Sequence, residues 1–176
     1  MKIGVTYDIR NPPQWRVPYD ALYHDTLDHM AMVEDWGFDQ VWIQQHHFEE
    51  SAYGPSFAAF VGALAMRTKR IRVGSSIKIL PLYHPLLVAE EMAVLDQLLR
   101  GRLDVGVGIG HRLKEFEILG VPKNQRPSRM EEGIEIMRRA WTEDRVTFHG
   151  RRFTIDDAEV QPKPVQQPLP LSLIHI

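Results

Sequence analysis

The 176-residue chain has no cysteine. Disulfides, thiolate nucleophiles and cysteine-ligated metals are therefore excluded, and a reducing compartment is compatible with that composition. Blocks of one charge are also missing: 21 Lys and Arg are mixed with 23 Asp and Glu, for a formal net charge of -2. Without a basic patch the chain has no electrostatic footprint for nucleic acid. Long apolar stretches are absent too. The longest uncharged segment runs from Ser51 to Met66, between Glu50 and Arg67, short of the roughly 18 apolar residues that a membrane span requires. Asp8 and Arg10 arrive too early for a secretory apolar core. These absences lead us to expect a cytoplasmic protein with neither a nucleic-acid nor a membrane partner. With 44% hydrophobic and 25% charged residues, the chain has the composition of a folded domain and the length for one core.

The apolar patterning alternates between strand and helix. Ile3, Val5 and Tyr7 mark a strand over Lys2 to Tyr7, and a helix follows from about Tyr19 to Trp36. Its expected core stripe is Leu22, Thr26, Met30 and Val33, with Gly37 as the stop. Val41, Trp42 and Ile43 form a second, unalternating strand that runs into His46 and His47. Phe57, Phe60, Val61 and Leu64 stripe a second helix, and Ile71 to about Leu80 reads as a third strand. Pro85 opens a third helix with the stripe Val88, Met92, Leu95 and Leu99. Arg102 to Gly108 is a fourth strand, rich in glycine. A loop with a helical piece around Leu113 to Leu119 comes next. Ser128 to Glu131 has the form of a capping box, opening a helix with the stripe Met130, Ile134, Met137 and Trp141. Arg145 to Ile155 reads as a hairpin turning at His149–Gly150, and a proline-rich connector leads to Ile176. Helical Met and Trp residues are expected in the core. Strand–helix units with unalternating strands imply an α/β fold with a parallel sheet. The sheet is either open and doubly wound or part of a (β/α) barrel. A closed eight-fold barrel takes about 250 residues, more than are present.

Chemistry in such a fold belongs at the carboxyl ends of the strands, which makes His46 and His47 the first candidates. Adjacent residues on an extended chain point to opposite sides, so the two cannot jointly chelate a metal. One imidazole can act as a base or hydrogen-bond partner near neutral pH; equally, both can be satisfied loop histidines. Gly106, Gly108 and Gly110 approach a dinucleotide fingerprint, but the third glycine comes one place early. A simpler reading is that missing side chains let a flat ligand or a backbone come close. Ser75 and Ser76 interrupt an apolar strand, either as a self-satisfied kink or as a lining of the mouth. Trp15, Tyr53 and Tyr83 are candidate pocket walls, and Glu49–Glu50 reads as a solvated pair.

Several motifs together resemble the bacterial luciferase-like monooxygenase family. They are Gln45-His46-His47-Phe48, Ile71 to Ser75, Leu80-Pro81, His84-Pro85, Ala89-Glu90, Leu95-Asp96, Gly101-Arg102-Leu103, Glu115-Phe116, Leu119 to Pro122, Trp141-Thr142-Glu143, Phe148-His149-Gly150 and Pro162 to Gln166. The resemblance implies a TIM barrel whose first half is residues 1–170. It also implies reduced FMN, supplied by a partner flavin reductase, reacting with oxygen to oxygenate a small-molecule substrate. A subset of the family uses the deazaflavin coenzyme F420 instead, and a non-catalytic flavin-binding or partner subunit is a third possibility. By the same resemblance His46 is catalytic and Ser75, Ser76, Ile77, Gly106, Gly108 and Gly110 contact the cofactor. A non-prolyl cis peptide falls at Ser76–Ile77, no metal is required, and the full-length protein is a homodimer. Gln45 departs from the Glu common at its position. Residues 171–176 depart from the family's fifth strand and are expected to be foreign. Because phosphate sites in barrels commonly follow strands seven and eight, the fragment alone is expected to bind flavin poorly and to be inactive.

Overall fold

The computed structural model describes residues 1–173. Its central sheet is entirely parallel and takes its strands in chain order. β1 (Gly4–Tyr7) pairs with β2 (Gln40–Ile43), and β2 with β3 (Arg72–Ser75). β3 and β4 (Lys78–Ile79) both lie along β5 (Leu103–Gly108), whose register places Val73 opposite Leu103 and Lys78 opposite Val107. β8 (Leu171–Leu173) pairs with β5 through Val105, Gly106 and Val107. A doubly wound sheet reverses its order at a switch point, and this one does not. Sequential parallel order with the return helices on one face is the (β/α)-barrel arrangement.

The expected third strand is two pieces. The chain leaves the ladder after Ser75, the Ser76–Ile77 peptide is cis, and pairing resumes at Lys78 before a single 3₁₀ turn over Leu80–Leu82. Ser76 and Ile77 thus stand out of the sheet beside the middle of β5, where the resemblance places the cis bond.

In-register pairing stacks Val5, Val41, Val73 and Leu103 on one face. Against this face pack α1 (Tyr19–Asp35), α2 (Phe57–Ala65), α3 (Pro85–Leu98) and α5 (Arg126–Thr142), forming the main core. The α2 and α3 stripes are buried where their periodicity puts them. In α1 the stripe is rotated: Leu27, Met30 and Val33 are buried, whereas Leu22 and Thr26 are only partly covered. Tyr23 explains the rotation, because it packs edge-on against Phe60 of α2 at 5.1 Å. Helical Met and Trp divide. Met30, Met92, Met130, Met137 and Trp141 are core, but Met32, Met66 and Trp36 are exposed.

The capping box at Ser128 does not form. α5 begins at Arg126 with Pro127 in its first turn, and the Ser128 hydroxyl donates to the Gln125 carbonyl at 3.1 Å. Proline's fixed φ starts the helix two residues before the serine. The hairpin of β6 (Arg145–His149) and β7 (Thr154–Glu159) is tied to α5 by Glu132, whose carboxylate accepts the backbone N–H groups of Arg151, Arg152 and Phe153.

The other face of the sheet carries Gln40, Trp42, Arg72, Gly74 and Asp104. At its foot Asp104 accepts from Arg72 through both oxygens, at 2.6 and 2.8 Å, and from Gln40 at 2.6 Å. Arg72 also donates to Gln166, and Gln166 donates to the fully buried Asp96. Asp96 further accepts the backbone N–H groups of Val165 at 2.8 Å and Gln166 at 3.1 Å. This carboxylate leads the proline-rich connector back to the sheet, setting residues 171–173 beside β5. The side chains of residues 171–173 and the whole of residues 174–176 lie outside the described residues, so the expectation of a foreign tail falls there. α4 (Leu113–Ile118) is a short helix that follows β5 in the chain.

Asp96→Ala removes a buried acceptor and leaves three donors unmatched. A stability loss of about 3 kcal/mol is expected in urea denaturation. A loss under about 1 kcal/mol would show that the connector is held by other contacts.

Candidate functional site

His46 and His47 lie just past the carboxyl end of β2, in a bend held by backbone bonds. Gln44 N–H donates to Tyr7 O at 2.9 Å and His46 N–H to Tyr53 O at 2.9 Å. Beneath them Gln45 is buried, and its amide donates to Pro55 O at 3.0 Å while its own oxygen has no partner among the described residues.

The side chain that organises this rim comes from α4. Glu115 is only 2% exposed and accepts with one oxygen from two sources. The His47 backbone N–H donates to Oε1 at 2.7 Å, and His46 Nδ1 lies 3.2 Å from the same oxygen. Its second oxygen is buried without a partner among the described residues. Burial lowers the pKa of His46; Glu115 opposes that, while Arg112 and His111 push it the same way as burial. Burial likewise lowers the pKa of His47, so both imidazoles are neutral at neutral pH.

His47 faces inward to Tyr83, with Nε2 2.5 Å from the phenol oxygen. Burial, helped by Glu91 and Glu115, raises the Tyr83 pKa. The phenol therefore keeps its proton and donates it to His47. Lys78 lies over the Tyr83 ring at 4.1 Å and pairs with Glu91 at 3.1 Å. His46 instead borders an open hollow of about 500 Å³ lined by Arg10, Gln44, Glu49, Tyr53, His111 and Arg112. Tyr53 is a wall of this hollow, with the Arg10 guanidinium 4.0 Å above its ring. Trp15 is 80% exposed and forms no wall. Glu49 is partly exposed and pairs with Arg112 across the rim, so it is not a free surface charge. A hollow of about 530 Å³ at the opposite end of the strands, lined by Gln40, Arg72 and Asp104 among others, is the paired polar foot already described.

The candidate cofactor residues gather at the same rim in different settings. Ser75 is buried, and its hydroxyl donates to Gly106 O at 2.8 Å. Ser76 and Ile77 are partly exposed. Gly106 and Gly108 share the face of Asp104 and put no side chain on it, and both are buried in this chain. Strand backbone without side chains, with the partly exposed Ser76 and Ile77 beside it, has the character to pack an isoalloxazine or deazaflavin ring. Gly110 has a separate reason to be glycine. Its φ is +76°, and a Cβ there would lie 2.5 Å from Ile79 and 3.0 Å from Phe116. No group of acidic residues and histidines suited to a metal occurs among the described residues, and no described helix is long and apolar enough to cross a membrane.

Sequence reasoning overlooked Glu115 as a site residue. Within Lys114-Glu115-Phe116-Glu117 nothing local separates it from its exposed neighbour Glu117; the only signal was its place in the Glu115-Phe116 motif.

The sequence model of the family described as luciferase-like monooxygenase matches residues 1–174. F420-dependent glucose-6-phosphate dehydrogenase of Amycolatopsis mediterranei (strain U-32) is 33% identical over 155 residues, which cover 84% of this chain and 46% of that protein. Limonene 1,2-monooxygenase of Rhodococcus erythropolis is 32% identical over 154 residues, 86% of this chain and 40% of that one. The crystal structure of monooxygenase RslO1 from Streptomyces bottropensis superposes with a TM-score of 0.91 at 28% identity, covering 98% of this chain and 53% of that one. An F420-dependent secondary alcohol dehydrogenase matches with a TM-score of 0.78 at 28% identity, over 98% of this chain and 52% of that one. The chain spans about half the length of the curated relatives it matches.

Lowered folded-state histidine values give stability a definite pH dependence. Between those values and the ordinary 6.5 the unfolded chain binds more protons than the folded one. Stability is therefore full above that range and falls as pH drops through it. The urea midpoint is expected to decrease between about pH 7.5 and 5.5, and His47→Asn to flatten the decrease. A midpoint that rises on acidification in this range would contradict the burial assigned to these rings.

Proposed function

The chain belongs to the luciferase-like monooxygenase family, and we propose that it supplies the first strands of a flavin-dependent monooxygenase using reduced FMN and oxygen. The observation that carries this reading is His46: a neutral imidazole at the carboxyl end of β2, held from behind by a buried carboxylate and bordering an open hollow. Support also comes from the 0.91 TM-score with a monooxygenase and the 32% identity with limonene 1,2-monooxygenase. When bound, reduced FMN supplies the electrons with which one oxygen atom enters the substrate and the other leaves as water. Gly106, Gly108 and the Ser76–Ile77 peptide would hold the ring. His46 would hold or move a proton at its free Nε2, and the Tyr83–His47 pair would fix the loop that carries it. A separate reductase, a homodimeric assembly and a cytoplasmic setting belong to the same proposal. So does dependence of activity on a longer polypeptide, supported by the length of the relatives.

A second reading is favoured by the 33% identity with an F420-dependent dehydrogenase. In it His46 takes the proton of a substrate hydroxyl while F420 takes up hydride. The hollow beside His46, lined by Arg10, Arg112, Gln44 and His111, suits a polar substrate in either case.

The test is made on the polypeptide encoded by the complete reading frame. Substrate-dependent oxygen uptake with reduced FMN supports the first reading, and anaerobic bleaching of F420 by an alcohol substrate supports the second. In either, His46→Ala is expected to lower kcat by about 10²–10⁴-fold, the usual range for a general base. Turnover that survives the change would assign the base elsewhere. No turnover in any arm, with FMN retained, would favour a non-catalytic flavin-binding subunit.

A further inference from the structure

We propose that Glu115 is a positioning residue for His46, fixing the imidazole as the Nδ1–H tautomer so that Nε2 presents its lone pair to the hollow. The inference rests on reading His46 as the site's base and adds the group that holds it.

Three observations support the assignment. First, the carboxylate is almost completely buried and yet contacts no Lys or Arg side chain among the described residues. Its only bonds there are to the two histidine residues, from His46 Nδ1 at 3.2 Å and the His47 backbone N–H at 2.7 Å. A buried carboxylate without a cationic partner is expensive, so a purely structural role at this position would be filled more cheaply by an apolar residue. Second, an ionised carboxylate accepts only. A ring nitrogen facing it must carry the proton, which leaves the lone pair of a neutral imidazole on Nε2. No hydrogen bond to Nε2 is present among the described residues. Third, one carboxylate oxygen holds both ends of the same residue pair. The backbone bond to His47 fixes the loop and the side-chain bond to His46 fixes the ring, so the ring cannot turn over without losing a bond.

The surroundings are consistent with this arrangement. Tyr53 tilts against the His46 ring at 4.9 Å and His111 meets it edge-on at 5.7 Å, limiting rotation about the side-chain axis. The charged and titratable groups around the ring are Glu115, His111 and Arg112 from the segment after β5, His47 and Glu49 from its own loop, and Arg10 and Tyr53 on the far wall. Glu115 is the acidic group that raises the His46 pKa, whereas His111 and Arg112 lower it. The roles of the two neighbouring rings then separate. His47 accepts from Tyr83 at Nε2 and is occupied within the protein, while His46 keeps its acceptor for a ligand.

The experiment is nitrogen-15 NMR of the histidine rings in the 176-residue chain, without cofactor. In the wild type, the protonated nitrogen of His46 is expected to be Nδ1. In Glu115→Gln the acceptor geometry survives and the charge does not, so the His46 titration midpoint is expected to move to lower pH. In Glu115→Leu the tautomer preference is expected to be lost, with the resonances of His149 on the distant hairpin unmoved. A proton on Nε2 in the wild type would overturn the assignment, even if neither variant folds. An unmoved His46 midpoint in folded E115Q would overturn it as well. Because no flavin takes part, failure here is distinguishable from failure of the oxidoreductase reading, which is decided by turnover.

Discussion

Parallel pairing in chain order, each strand beside the next and pointing the same way, is the constraint from which the rest of this structure follows. With no reversal in the order, every carboxyl end lies on one rim and every return helix on one face. The in-register ladder places Val5, Val41, Val73 and Leu103 at one level and hands them to the helices. It equally commits Gln40, Trp42, Arg72 and Asp104 to the opposite, inner face. Polar groups on an inner face must find one another or water, and here the strand spacing lets them meet across β2, β3 and β5.

The two ends of the strands then differ in how completely their polar groups are matched. At the foot, Arg72, Asp104, Gln40, Gln166 and Asp96 form a closed network, and Arg102 places its guanidinium on three backbone carbonyls and the Thr68 hydroxyl. Such a network fixes position and offers little to a ligand. At the rim, Gln45 and Glu115 each keep a buried oxygen without a partner among the described residues. An unmatched buried acceptor costs about 1–3 kcal/mol. Both rim orphans flank the His46–His47 loop, which is the distribution expected where stability gives way to function. The pairing pattern therefore sets the rim apart from the foot independently of any motif.

Much of this was legible in the sequence, and the failures have identifiable causes. The strands were found because they are short runs rich in apolar residues, and the α2 and α3 stripes because their partners lie squarely beneath them. The α1 stripe shifted because Tyr23 prefers Phe60 to solvent, a tertiary preference that periodicity cannot register. The capping box failed because Pro127 started the helix earlier. Glu49 looked solvated because its partner Arg112 is distant in sequence. At the rim, His46 stood out because histidine at a strand end is chemically conspicuous. Glu115 did not, since its meaning lies entirely in contacts with residues 68 and 69 positions away.

How Glu115 reaches those residues is settled by apolar contacts rather than by charge. β2 and β5 are not neighbours in the sheet, so a side chain after β5 must pass over the end of the third strand to touch the loop after β2. The interruption between Ser75 and Lys78 turns Ile79 toward that end, where it forms a small separate cluster with Leu82 and Phe116. Phe116 can enter only because Gly110 carries no Cβ: an added methyl would sit 3.0 Å from the ring and 2.5 Å from Ile79. Seating Phe116 fixes α4, and fixing α4 aims the adjacent Glu115 at the histidine pair. A glycine that reads as an opening for a ligand is in this place a socket for a phenyl ring. The alignment of the candidate base thus depends on the packing of three apolar side chains beside a residue that has none.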